Sequence, residues 1–109
     1  EHLRCVGETR QLQQLADGAE MCLLPRICAG IIAHADLSMG AAAVREQLDA
    51  HIAAGRNVRG VREYAANAGD DDGIHVGTKD PRKLSDSKFR EGLAELKSRG
   101  LVFDCWLYH

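Results

Sequence analysis

Three short stretches bring together side chains able to do chemistry. "AHAD" carries His34 and Asp36, "REY" carries Arg62, Glu63 and Tyr64, and "YH" closes the chain on His109. Imidazole is the usual protein ligand for zinc and related metals, and it moves protons near neutral pH. A guanidinium offers a planar fork that can hold a carboxylate through two parallel hydrogen bonds. Asp70, Asp71, Asp72 and His75 lie between the second and third stretches. Their "DDDG" lacks the alternating ligand spacing of a calcium loop and reads as a solvated acidic loop.

Each candidate also has a plainer reading. His109 could be a terminal histidine in water. His34, at the end of an apolar run, reads first as a hydrogen-bonded structural histidine. Arg62 is read equally well as a clamp and as the partner of Glu63 or Asp36 in an ion pair. His2 and His51 read as surface residues. The chain has no phosphate-cradling glycine motif, nucleophile elbow or close pair of metal ligands.

The elements that would position these residues follow from periodicity. Leu12, Leu15 and Ala19 give a helical stripe from Glu8 to about Cys22, which Pro25 stops. "RICAGIIAHADL" is a nearly continuous apolar run, the pattern of a strand covered on both faces. Ser38 can cap a helix from about Met39 to Ala54, with Ala41, Val44, Leu48 and Ile52 inward and Gly55 at its end. "NVRGVREYAA" is a second strand, and a polar stretch runs from Ala65 to Leu84. Ser85 or Asp86 caps a third helix with Phe89, Leu93 and Leu96 inward. Gly100 stops it, and a strand runs on to His109. Helix and strand therefore alternate three times, which predicts parallel strands joined by right-handed crossovers. Ligands of such folds bind beyond the carboxyl ends of the strands. His34, Asp36, Arg62, Glu63, Tyr64 and His109 would all gather at that rim.

Composition narrows the function. A length of 109 residues with 45% apolar side chains allows one modest domain. The net charge of −2 gives no electrostatic case for nucleic acid or an anionic membrane. No apolar run approaches the roughly 20 residues that span a bilayer, and no signal-peptide pattern opens the chain. Cys5, Cys22, Cys28 and Cys105 form no close metal-binding or redox pair. They read as reduced, with Cys28 and Cys105 buried in strands, which suggests the cytoplasm.

The segments "ICAGIIAHADL", "AAAVREQLDAHIAAG", "VRGVREYAA" and above all "GLVFDCWLYH", with "VGET" near the start, resemble the amidohydrolase-related family. These are metal-dependent hydrolases with a (β/α)₈ TIM barrel, related to lactonases and to aminocarboxymuconate-semialdehyde decarboxylase. The resemblance covers nearly the whole chain in order. It implies an α/β fragment of about three consecutive parallel strand–helix units, roughly strands three to five of a partial TIM barrel. Residues 1–109 would then be one piece of a single barrel domain of roughly 250 residues or more. The family's opening His-x-His pair, and the histidine and aspartate of its late strands, have no counterpart here.

By that resemblance His109 matches a fifth-strand metal ligand, and Arg62 a fourth-strand basic residue that meets substrate carboxylates. His34, Asp36 and Tyr64 would complete the substrate-binding rim. The implied cofactor is a divalent metal, zinc first, although some relatives need none. The expected activity is hydrolysis of a small carboxylated lactone or amide, with decarboxylation as the neighbouring chemistry. The isolated piece would be inactive and would self-associate through its open sheet edges. The alternative from another class is a non-catalytic α/β binding module complete in 109 residues.

Overall fold

The computed structural model describes residues 2–67, 78 and 80–108. Its elements alternate as expected: α1 Val6–Met21, β1 Ile31–His34, α2 Ala41–Ala54, β2 Val58–Arg62, α3 Ser87–Ser98 and β3 Val102–Asp104. The strands form one parallel sheet in the order β1-β2-β3. The fold is a small mixed α/β domain.

Local chemistry sets the helix ends. The Asp86 carboxylate accepts from the Phe89 N–H at 2.9 Å and starts α3. Gly100 ends it in the left-handed region, at φ 64°. The start of α2 departs from expectation: its N-cap is Gly40, with no side-chain cap, and Ser38 lies in a preceding 3-10 turn that Asp36 caps. The Asp36 carboxylate accepts from the Ser38 N–H at 2.9 Å, and a 3-10 turn, Leu37–Met39, follows before Gly40 opens α2 at φ 87°.

The faces that pack differ from the apolar stripes in two helices. In α1 the buried residues are Val6, Thr9, Gln13, Ala16 and Ala19, while Leu15 is 56% exposed. Thr9 and Gln13 turn inward because each has a buried partner. Thr9 bonds His51, and the Gln13 amide oxygen accepts from the Asn57 N–H at 2.9 Å. In α2, Val44 and Leu48 are buried as expected, but Gln47 and His51 join them and Ile52 lies outside. Apolarity alone does not register polar side chains whose bonds are satisfied inside.

Both outer strands are shorter than the sequence suggests. In β1 only one face is covered: Ile31 and Ala33 are buried, while Ile32 is 42% exposed. Cys28 lies ahead of the strand at φ 49°, half-buried and not in the ladder. The last strand stops at Asp104. β2 offers it partners only at Gly60, Val61 and Arg62, and the ladder ends where those end. Cys105 is exposed beyond it, and Trp106 and Tyr108 rest ring against ring with centroids 5.6 Å apart.

One core lies under one face of the sheet. Ala33, Ala35, Val61, Val44, Leu48, Phe89 and Leu96 pack with Leu37, and Phe103 meets Phe89 edge to face at 5.9 Å. α2 and α3 cover this face, and α1 packs on α2 and β1. Outside the core Arg45, Asp49, Glu95 and Arg99 clasp α2 to α3. Hydrogen bonds from Arg45 and then Arg99 hold the Glu95 carboxyl below its ordinary range. The opposite face carries two rows, Ile32–Gly60–Val102 and His34–Arg62–Asp104.

Two glycines of opposite sign test this packing. A Cβ on Gly92 would lie 2.2 Å from the Leu37 carbonyl oxygen, where α3 crosses the 3-10 turn. Gly92→Ala should destabilise the fold by about 1–3 kcal/mol through overpacking. Gly18, inside α1, has nothing within 4 Å of the same position. Gly18→Ala should stabilise by up to about 1 kcal/mol through helix propensity. Urea midpoints of the two variants, measured side by side, should move in opposite directions.

Candidate functional site

Parallel register sets His34, Arg62 and Asp104 side by side at the carboxyl ends of the three strands. The Arg62 Nε donates to Asp104 Oδ2 at 3.0 Å, and a terminal nitrogen of the same fork reaches that oxygen too. The ion-pair partner of Arg62 is therefore Asp104, and neither Glu63 nor Asp36. The second terminal nitrogen has no hydrogen-bond partner among the described residues, and the side chain is about half exposed.

His34 Nδ1 lies 3.3 Å from the Arg62 carbonyl oxygen. A carbonyl only accepts, so this contact requires a proton on Nδ1. The Tyr64 ring stands beside it, its centroid 6.3 Å away. His34, Arg62 and Tyr64 line one open groove together with Cys5, Glu8 and Ile32. Asp36 does not line it. Its carboxylate is spent on the Ser38 N–H, and its own N–H donates to Gln47 Oε1 at 3.1 Å. Glu63 points into the core side and is 4% exposed. There one oxygen accepts from the Leu37 N–H at 2.7 Å and the other pairs with the Lys83 ammonium.

The residue beneath this rim is His51, which the sequence reading put on the surface. It is fully buried. Its Nε2 lies 2.9 Å from the His34 carbonyl oxygen, and its Nδ1 lies 2.8 Å from Thr9 Oγ1. The carbonyl requires a proton on Nε2, and in the neutral ring that burial favours Nδ1 accepts from the threonine hydroxyl. Cys5 Sγ sits 3.5 Å from the same Nε2 and accepts from Gln47 Nε2 at 3.0 Å. The spacing did hold a signal: His51 stands three residues after Leu48 and seven after Val44, on the buried stripe of α2.

Other expected residues fall elsewhere. His109, the metal-ligand candidate, lies outside the described residues, as do Asp70, Asp71, Asp72 and His75. Among the described residues, no group of three histidine, cysteine, aspartate or glutamate side chains is arranged to hold a metal ion. No described helix is long and apolar enough to cross a membrane. Comparison of the chain with family models, with curated proteins and with solved structures gives no match.

Burial pushes the pKa of His51 below the ordinary histidine value, against a smaller upward pull from the His34 carbonyl and Glu8. The folded state thus resists a proton that the unfolded chain accepts. Its stability is complete above about pH 6.5, the ordinary value. It falls as the pH drops from there through the lower folded value, because the unfolded state binds more protons in that window. The urea midpoint should therefore decrease between about pH 7 and 5, above the carboxylate range. His51→Gln should be less stable at neutral pH by about 1–3 kcal/mol, the cost of disturbing buried hydrogen bonds, and should show a flatter pH dependence. An equally steep slope in that variant would assign the dependence to another group.

Proposed function

We propose that these residues are three consecutive strand–helix units, roughly the third to fifth, of an amidohydrolase-type barrel. The enzyme would hydrolyse a small carboxylated cyclic ester or amide. One observation carries the reading: the polar row His34–Arg62–Asp104 spans the carboxyl ends of three adjacent parallel strands, on the face away from α2 and α3. Active sites of barrel enzymes are built at those ends. Three parallel strands in chain order are compatible with the winding of a barrel, as they are with one half of a doubly wound sheet. Ile32, Gly60 and Val102 would then face a barrel interior.

In this reading Arg62 holds a substrate carboxylate with its uncommitted nitrogen and is oriented meanwhile by Asp104. His34 Nε2 accepts a proton from water or substrate, Tyr64 walls the groove, and Asp36 fixes the turn behind it. His109 is the residue of this chain that would contribute a ligand to a divalent metal, zinc first. Among the described residues no three such ligands come together, and His109 lies outside them. Decarboxylation within the same family would use the same rim. The four free cysteines favour a cytoplasmic setting. The expected partner is a small-molecule substrate, with neither nucleic acid nor membrane required.

The coding sequence on either side of these 109 residues tests the reading. Open frames that continue into further strand–helix units, with a His-x-His strand upstream, are the expected result. A methionine codon directly before Glu1 and a stop directly after His109 would overturn it in favour of a small binding module. In the longer protein, Arg62→Lys should raise KM about tenfold or more with kcat little changed, since lysine keeps charge but loses the fork. The 109-residue chain alone should show no turnover. It should also elute as a self-associated species on sizing chromatography, because β3 pairs with no further strand among the described residues and Val102, Trp106 and Leu107 are exposed.

A further inference from the structure

A second polar cluster occupies the opposite, amino end of the sheet. There a cleft of about 180 Å³ is lined by Arg26, Arg56 and Arg59, with Asn57 and Glu20 among its walls. The three arginines differ in what they already hold. Arg56 is committed, pairing with Asp17 and with Glu20. Arg59 gives one terminal nitrogen to the carbonyls of Arg56, at 2.9 Å, and Val58, at 3.0 Å, and meets no carboxylate among the described residues. Arg26 likewise pairs with no carboxylate among them. The one carboxylate in the lining, Glu20, is already taken by Arg56.

The backbone aims Arg59 into this place. Ile31 pairs with Val58 and Ile32 with Gly60, so Arg59 faces no residue of β1. A one-residue bulge of this kind re-aims a side chain out of the ladder. The next position must be glycine, because a Cβ on Gly60 would stand 2.3 Å from the Val102 carbonyl oxygen. Across the cleft, the segment that carries Arg26 is anchored by its Cys28 carbonyl, which accepts from Asn57 Nδ2 at 2.9 Å. Cys28 itself is held at φ 49°, a conformation unfavourable for any side chain but glycine.

We propose that this cleft is a binding site for a phosphate group, held between the free guanidinium edges of Arg26 and Arg59. Two planar forks on different segments match the several oxygens of a tetrahedral dianion better than the two of a carboxylate. The chain's net charge of −2 and the small size of the cleft argue for a single phosphate over a long polyanion. That phosphate could belong to a dissolved phosphomonoester or to a lipid headgroup. The second source gains force from Met21 and Leu23, 82% and 93% exposed, in the turn that leads toward Arg26. The proposal is independent of the barrel reading, since its residues lie at the other end of the strands.

The test titrates inorganic phosphate and glycerol phosphate into the 109-residue chain at low ionic strength, followed by arginine side-chain NMR signals. Saturable shifts at Arg26 and Arg59 are expected, with affinity at least tenfold weaker in Arg26→Gln/Arg59→Gln and unchanged in Arg62→Lys. Arg26→Gln alone, which removes no hydrogen bond or ion pair with the described residues, should already weaken binding while leaving the circular dichroism spectrum intact. Sedimentation with phosphatidylcholine vesicles, with and without phosphatidic acid, separates the sources. Binding only when phosphatidic acid is present supports the headgroup form, and phosphate binding without vesicle binding supports the dissolved form. No saturable shift with either phosphate probe, or equal affinity in the double variant, would overturn the proposal.

Discussion

A buried imidazole with both nitrogens satisfied is the constraint on which the rest of this structure depends. His51 reaches from α2 to the Thr9 hydroxyl on α1 and to the His34 carbonyl on β1, so one ring ties three elements together. Leaving either nitrogen unpaired at this depth would cost the desolvation of that group. The arrangement works in one protonation state, with the proton on Nε2. It also explains why α1 buries threonine and glutamine while Leu15 lies toward solvent. The helix is oriented by its hydrogen bonds, and its alanines let it approach closely.

The same ring reaches the candidate site by way of the backbone. The carbonyl it holds belongs to His34, whose side chain leaves on the other face of the sheet and meets the Arg62 carbonyl. Arg62 is in turn oriented by Asp104. The uncovered face is therefore ordered from beneath and from side to side, and polar residues occupy its carboxyl end in register. The amino end carries a different cluster, with arginines that the fold leaves partly uncommitted. A small sheet thus presents two polar surfaces separated by the row Ile32–Gly60–Val102.

Much of this was legible in the sequence. Alternating helix and strand patterns gave the order and the parallel pairing, and Asp86, Gly55 and Gly100 marked helix ends. Val44, Leu48, Phe89 and Leu96 were recognisable as core from spacing alone. His34, Arg62 and Tyr64 converge because each follows an apolar strand. What escaped was set by partners distant in sequence. Thr9, Gln13 and His51 bury only because they bond one another's segments, which no hydropathy count registers. The last strand is short because β2 ends, not because its own residues change character. Asp36 leaves the rim because the nearby Ser38 N–H needs an acceptor, and Asp104 enters it through register with Arg62. Arg59 is re-aimed by a one-residue slip that neither strand shows on its own.

The protonation state of His51 decides whether one ring can hold α1, α2 and β1 together in this way. Long-range nitrogen-15 spectra of the imidazoles, with the His51 signals identified by their loss in His51→Gln, would read it without perturbing the fold. A neutral ring with its proton on Nε2 is expected at pH 7, persisting below the ordinary histidine value of about 6.5. A proton on Nδ1, or an imidazolium at neutral pH, would contradict it.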